Sequence, residues 1–164
     1  MKLNASLLVC LLAAASCNSE VTGLGPPSDP AKETFAASLG VDITQMSKTT
    51  DGVYYEDIVP GTGAEVTDTT TAVAVTYAGY LKDGKLFDSG TNVTFAPTNV
   101  VPGFRIGMQG MKEGGNRKIV IPSSLGYGGT SVRDPSTGGI KIPRQSTLIF
   151  DVQMLKVTNP APAP

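Results

Sequence analysis

The 164-residue chain has no histidine and no tryptophan. Without histidine there is no Ser-His-Asp or Cys-His triad, and no metal site that needs imidazole. The two cysteines, Cys10 and Cys17, both lie near the start. Everything after residue 17 lacks thiols, which excludes disulfides, thiolate catalysis and zinc-cysteine sites from the folded body. A charge excess is missing as well: 13 Lys+Arg against 14 Asp+Glu leave a net charge of −1. A near-neutral chain has no basic field to hold phosphates, so nucleic acid is not an expected partner. The chemistry left to this chain uses hydroxyls, carboxylates, backbone groups and apolar surface.

What is present suffices for a packed core. Hydrophobic residues make up 40% and charged residues 16%, the balance of a globular chain rather than a disordered one. The length suits one domain with short extensions. Nineteen glycines and twelve prolines make it rich in turns.

The first residues look like an address. Lys2 is the only charge before Glu20, and residues 7–15 are apolar. That run is too short to cross a bilayer as a helix but suits a signal-peptide core. Ala14, Ala15 and Ser16 precede Cys17. The pattern resembles a bacterial lipoprotein signal, with residues 1–16 removed and Cys17 lipidated, although Ala14 stands where that pattern prefers leucine. This implies an extracytoplasmic protein, in the periplasm or on the outer membrane, that touches the membrane only through its lipid. The alternative is an ordinary secretory signal and a soluble secreted protein.

Residues 17–50 form an expected tether. Residues 18–30 are polar, contain Gly and Pro, and show no periodicity. Asp29-Pro30 supplies an N-cap and a first helical residue, and Gly40 a stop, for a short helix with Phe35, Ala36 and Leu39 on its apolar stripe. So short a helix must dock on something or fray. From Asp51 the pattern is strand-like. Residues 53–59 are β-prone, and residues 71–81 alternate, with Val73, Val75 and Tyr77 on one face. Asp83-Gly84 marks a hairpin turn. The second arm is expected to end at Phe87, with Asp88-Ser89-Gly90 as a break and a short strand at residues 94–96. Val100, Val101, Phe104, Met108 and Met111 recur at helical spacing, weakened by three intervening glycines, so this helix needs tertiary support. Residues 117–122 form another strand, and residues 123–144 a long Gly/Pro-rich loop. Leu148, Phe150, Val152 and Met154 share one face of a last strand, and residues 158–164 form a disordered tail. One short helix on an antiparallel sheet is an α+β arrangement.

The order of these segments resembles the FKBP-type peptidyl-prolyl cis-trans isomerases over residues 51–157. The resemblance is carried by Val75-Thr76-Tyr77-Ala78-Gly79, Asp83-Gly84 with Phe87-Asp88-Ser89, and Val100 to Phe104 with residues 107–111. It continues through Ile121-Pro122, Gly126-Tyr127-Gly128, Ile142-Pro143 and Leu148 to Val152. Several blocks in order at family spacing are specific, where any one of them would not be. The resemblance implies a five- to six-stranded antiparallel sheet wrapped around one short helix. It also implies a proline pocket lined by Phe87, Phe95, Val100, Val101, Phe104, Ile142 and Phe150, with Asp88, Tyr127 and Tyr77 as catalytic groups. Six of the ten aromatic residues fall on pocket positions. Phe104 stands where the family most often has tryptophan, and Lys141 where it often has a second isoleucine.

The implied reaction is rotation about an X-Pro bond in exported polypeptides. No bond is broken, so no metal or cofactor is expected. The Tyr127 hydroxyl and the Val101 N–H are implied to bind substrate carbonyls, Asp88 to orient the twisted amide, and Tyr77 to hold Asp88. Proline-containing polypeptides are the implied partners, macrolide inhibitors the implied ligands, and a monomer the implied state. A second reading, motivated by Phe104 and Lys141, is a non-catalytic binding module or chaperone on the same fold. A third is a surface lipoprotein that presents the domain to an outside partner.

Overall fold

The strand patterns pair into one sheet in the computed structural model, which describes residues 25–68, 70 and 72–159. The signal segment, Cys17 and residues 160–164 lie outside the described residues. The strands are β1 (Ser47–Lys48), β2 (Tyr54–Val59), β3 (Ala72–Leu81), β4 (Leu86–Phe95), β5 (Asn116–Ile121), β6 (Val132–Arg133), β7 (Ile140–Ile142) and β8 (Leu148–Thr158). One helix, α1, spans Pro102–Met108. Six strands form an antiparallel sheet in the order β1-β2-β5-β8-β3-β4. β8 sits inside that order and pairs with both β5 and β3.

Period-two alternation sorts the sheet's two faces. On the inner face, Val73 and Val75 of β3, Ile119 and Ile121 of β5, and Leu148, Phe150, Val152 and Met154 of β8 pack with Phe104 and Met108 of α1. The helix spans two turns, and its glycines have a packing reason. A Cβ at Gly103 would lie 2.2 Å from Ile121 Cγ2, and one at Gly107 2.4 Å from Ile119 Cγ2. Only glycine lets α1 approach β5 so closely. The far end of α1 is held by buried Arg117 on β5, whose Nη1 donates to the carbonyls of Gly107 and Gln109 at 3.0 and 2.8 Å. Asp57 on β2 grips the same guanidinium through both carboxylate oxygens, at 2.7 and 2.9 Å. The helical spacing over residues 100–111 is longer than the helix: Val101 is its N-cap and Gln109 its C-cap. Met111 is nonetheless core, 1% exposed.

The outer face carries a second core. Tyr54, Val120 and Ile149 meet Leu39 and Met46 of the N-terminal segment, with Phe35, Ala36, Val41 and Ile43 against them. The tether expected at residues 17–50 is thus a docked segment from residue 28 onward, because its apolar residues cover this face. Asp29 caps as expected, accepting from the Ala31 N–H at 3.2 Å. The helix it begins is two separate 3-10 turns, Pro30–Lys32 and Ala37–Leu39, the second closed by Gly40 in the left-handed region. The Ala36 N–H donates to Lys82 O at 2.8 Å, and Lys82 pairs with Glu33 at 3.2 Å.

Three further expectations need correction. β4 does not stop at Phe87: it runs through Asp88-Ser89-Gly90 to Phe95, and these turn-like residues pair regularly with Gly79, Ala78 and Tyr77 of β3, with a register shift on either side of them. The loop of residues 123–144 contains a 3-10 turn, Ser123–Leu125, and the two-stranded ribbon β6-β7. Thr158 and Asn159, expected to open the tail, are instead tied to the fold. Thr158 pairs with Ala72, and Asn159 accepts from the Thr70 hydroxyl at 2.6 Å and donates to Glu65 O at 3.1 Å.

Candidate active site

A cavity of about 430 Å³ opens between α1, β3, β4, β8 and the loop after β5. It is lined by Tyr77, Phe87, Asp88, Phe95, Asn99, Val100, Val101, Phe104, Tyr127 and Phe150. Nine of the ten residues expected at the pocket are therefore brought together. Ile142 is the exception: at the end of β7 it is 2% exposed and belongs to the main core, whereas Ile140 at the strand's start is 51% exposed. Asn99 takes a place that the sequence did not suggest. It ends the 3-10 turn Pro97–Asn99, immediately before Val100-Val101, and its only signal was that adjacency.

Phe104 is the floor. It is 4% exposed and projects from the first turn of α1. Its ring meets Phe150 edge-on, with centroids 4.7 Å apart and planes at 64°. Phe150 in turn meets Phe87 at 5.5 Å and 88°. Tyr77 and Phe95 complete the walls at 6.2 and 6.1 Å from Phe104. Edge-to-face contacts of this kind fix ring orientation beyond what burial alone does. Gly79 makes room for them, since a Cβ there would lie 2.8 Å from both Phe150 Cε1 and Phe87 Cζ.

Phe87 and Asp88 are neighbours in sequence, yet both line the cavity. Strict alternation would put them on opposite faces. The register resolves this: Gly79 pairs with Asp88 and Tyr80 with Leu86, so Phe87 is the extra residue of a bulge. Bulges re-aim side chains in this way. A second register shift lies between Val75 and Tyr77. There the Asn92 N–H donates to Thr76 Oγ1 at 3.2 Å, and Asn92 takes a φ of 51°.

The polar groups converge on Asp88. The Tyr77 hydroxyl donates to Asp88 Oδ2 at 2.9 Å. Burial, then that hydrogen bond and the carboxylate's charge, push the Tyr77 hydroxyl up to about 12. Tyr127 is also pushed up, by burial first and the Asp88 charge second. Both phenols therefore stay protonated donors at neutral pH. Val101 stands at the N-terminus of α1, where its carbonyl accepts from the N–H groups of Phe104 and Arg105 at 3.0 and 3.3 Å. The site is an aromatic bowl with donors and one carboxylate at its rim. It suits an apolar ring attached to an amide.

Another concavity, of about 400 Å³, lies on the sheet and is lined by residues that include Ile58, Tyr77, Asn116, Arg117, Asp151 and Gln153. Tyr77 is the one aromatic residue in its lining, so it has no aromatic bowl.

Residues 63–155 match the family model described as FKBP-type peptidyl-prolyl cis-trans isomerase. An FKBP-type peptidyl-prolyl cis-trans isomerase FkpA of Escherichia coli K12 is 38% identical over 135 residues, which are 80% of this chain and 45% of that protein. The chain thus spans less than half the length of that relative. An FK506-binding protein of Neisseria meningitidis serogroup B is 39% identical over 112 residues, 65% of this chain and 96% of that protein. Among solved structures, a peptidyl-prolyl cis-trans isomerase from Pseudomonas syringae pv. tomato superposes with a TM-score of 0.64 at 28% identity, covering 75% of this chain and 87% of that one. FkpA from Escherichia coli superposes with a TM-score of 0.59 at 36% identity, covering 70% and 52%.

Proposed function

The chain belongs to the FKBP-type peptidyl-prolyl cis-trans isomerase family, and from that footing we propose that it accelerates rotation about X-Pro bonds in exported polypeptides. The observation that carries the proposal is the cavity itself, with its aromatic floor and walls and the Tyr77-Asp88 pair on its rim.

The X-Pro amide resists rotation because resonance stiffens its C–N bond, with a barrier of about 18–20 kcal/mol. The twisted transition state has lost resonance and has less charge separation than the planar amide. Water stabilises the planar form more. Phe87, Phe95, Phe104 and Phe150 take the proline ring and exclude water, which removes that advantage. The Val101 N–H and the Tyr127 hydroxyl donate to substrate carbonyls. Asp88, held by Tyr77, faces the rotating amide. Each such hydrogen bond contributes about 0.5–1.5 kcal/mol net, so removing one slows turnover several-fold rather than abolishing it.

The cavity is also proposed to accept macrolide inhibitors of the FK506 type, in line with the name of the meningococcal relatives. The chain is proposed to act as a monomer. Its site of action is proposed to be extracytoplasmic, through removal of residues 1–16 and lipidation of Cys17. Mass spectrometry of the mature N-terminus tests that directly. No helix among the described residues is long and apolar enough to cross a membrane.

The activity is tested by NMR exchange spectroscopy on a short proline peptide, with the wild type and Asp88→Ala at equal folded concentration. Exchange far above the uncatalysed rate, lowered several-fold by Asp88→Ala, supports the proposal. Background exchange with folded wild type would overturn it and favour a binding module that uses the same bowl.

A further inference from the structure

Tyr127 sits between Gly126 and Gly128, residues that do nothing to fix its direction. Its placement comes from what holds the two ends of its loop. The N–H groups of Gly126 and Gly128 both donate to Ser123 O, at 3.0 and 2.8 Å. Gly128 O accepts from the Gln145 N–H at 2.7 Å. Gln145 is held at a φ of 56°, an uncommon conformation for a residue with a side chain. The loop therefore hangs from Ser123 and Gln145.

Those two anchors are tied to a segment about a hundred residues away. The Ser28 N–H donates to Ser123 Oγ at 2.8 Å, and the Ser123 N–H donates back to Ser28 Oγ at 2.7 Å. The Thr147 hydroxyl donates to the same Ser28 Oγ at 2.8 Å. Ser123 Oγ donates to Gln145 Oε1 at 2.9 Å, and Gln145 Nε2 donates to Gly25 O at 3.2 Å. Ser123 and Thr147 are 0% and 1% exposed, so their polar groups rely on partners within the fold. Ser28 lies outside residues 63–155, the span of the family match.

We infer that Ser28 is a positioning residue for the active site: its hydroxyl locks Ser123 and Thr147 together and thereby sets the loop that carries Tyr127. The N-terminal segment is then part of the isomerase and not only its tether. The effect on turnover rests on the isomerase reading, whereas the effect on the loop does not.

The test uses the full chain as wild type, Ser28→Ala, Ser28→Thr and Thr147→Val. Amide hydrogen exchange is read at Gly126 and Gly128, with β8 amides as the internal reference. KM and kcat are read with a proline peptide. Ser28→Ala should speed exchange at both glycines about tenfold and leave β8 unchanged. It should raise KM more than it lowers kcat, because Tyr127 binds rather than rotates the substrate. Ser28→Thr, which restores the hydroxyl, should recover both readouts. Thr147→Val keeps the shape of the site and should move exchange in the same direction by less. Unchanged exchange at Gly126 and Gly128 in Ser28→Ala would overturn the inference. So would an equal acceleration of the β8 amides, which marks general destabilisation. A wild type without isomerase activity would sink the functional proposal while the exchange comparison still decides the role of Ser28.

Discussion

Tyr77 and Asp88 are diagonal neighbours across β3 and β4, joined by a 2.9 Å hydrogen bond from the phenol to the carboxylate. Burial and this bond keep the Tyr77 proton in place up to about 12, against an ordinary value of 10. The raised value belongs to the folded state, so the folded chain binds the proton more tightly than the unfolded one. The resulting stabilisation is complete below pH 10 and is lost as pH rises from about 10 to about 12. Urea midpoints taken between pH 9 and pH 12 should fall more steeply for the wild type than for Tyr77→Phe. Parallel slopes would show that this phenol is not a titrating element of the fold.

Phe104 is both floor and core, so its substitutions separate two roles. Phe104→Ala leaves a void beneath Phe150 and should cost about 3–5 kcal/mol of stability. Phe104→Trp keeps the aromatic floor but must fit a larger ring against Phe150 at 4.7 Å and Tyr77 at 6.2 Å. Overpacking of that kind costs about 1–3 kcal/mol. Chemical denaturation should rank the wild type first, Trp second and Ala last. A tryptophan variant more stable than the wild type would mean that the bowl has slack which these ring contacts do not suggest.

The strands and the inner core were legible because alternation and helical spacing are local signals. Val73 and Val75, and Leu148, Phe150, Val152 and Met154, all face the inner core as their spacing implied. The cavity positions were legible through motif order, which sets Tyr77, Asp88, Phe104 and Tyr127 on elements that the sheet brings together. Three features were hidden. The bulge at Phe87 has no signature of its own, since Asp88-Ser89-Gly90 is equally a turn sequence. Ile142 shares its motif with pocket residues, but its direction depends on the pairing of β7 with β6, and that ribbon sits in a segment dominated by Gly and Pro. The docking of residues 28–50 depends on the outer face of β2, β5 and β8, which does not exist until the sheet forms.

That docking carries its own prediction. Leu39 is 5% exposed against Met46, Tyr54, Val120 and Ile149. Leu39→Ala should cost about 2–5 kcal/mol if the segment folds as one unit with the sheet. Thermal unfolding should stay a single transition at a lower midpoint. An unchanged midpoint would mean that the segment detaches without loss to the domain.

Gly79 offers the sharpest separation between folding and function. Its position on β3, paired with Phe150 and with Asp88, places it under the two rings that form the cavity wall. An added methyl would meet Phe150 Cε1 and Phe87 Cζ at 2.8 Å, closer than real Cβ contacts allow. The rings must move, and the cavity is the unfilled space beside them. Gly79→Ala should therefore cost about 1–3 kcal/mol of stability and lower affinity for a proline peptide further than that loss of folded protein accounts for. Shrinking the wall with Phe150→Leu in the same chain should restore part of the stability, because it removes one of the two clashes. If Gly79→Ala binds the peptide as the wild type does, the rings have yielded away from the cavity, and the shape of the bowl is set by Phe104 rather than by the packing across β3.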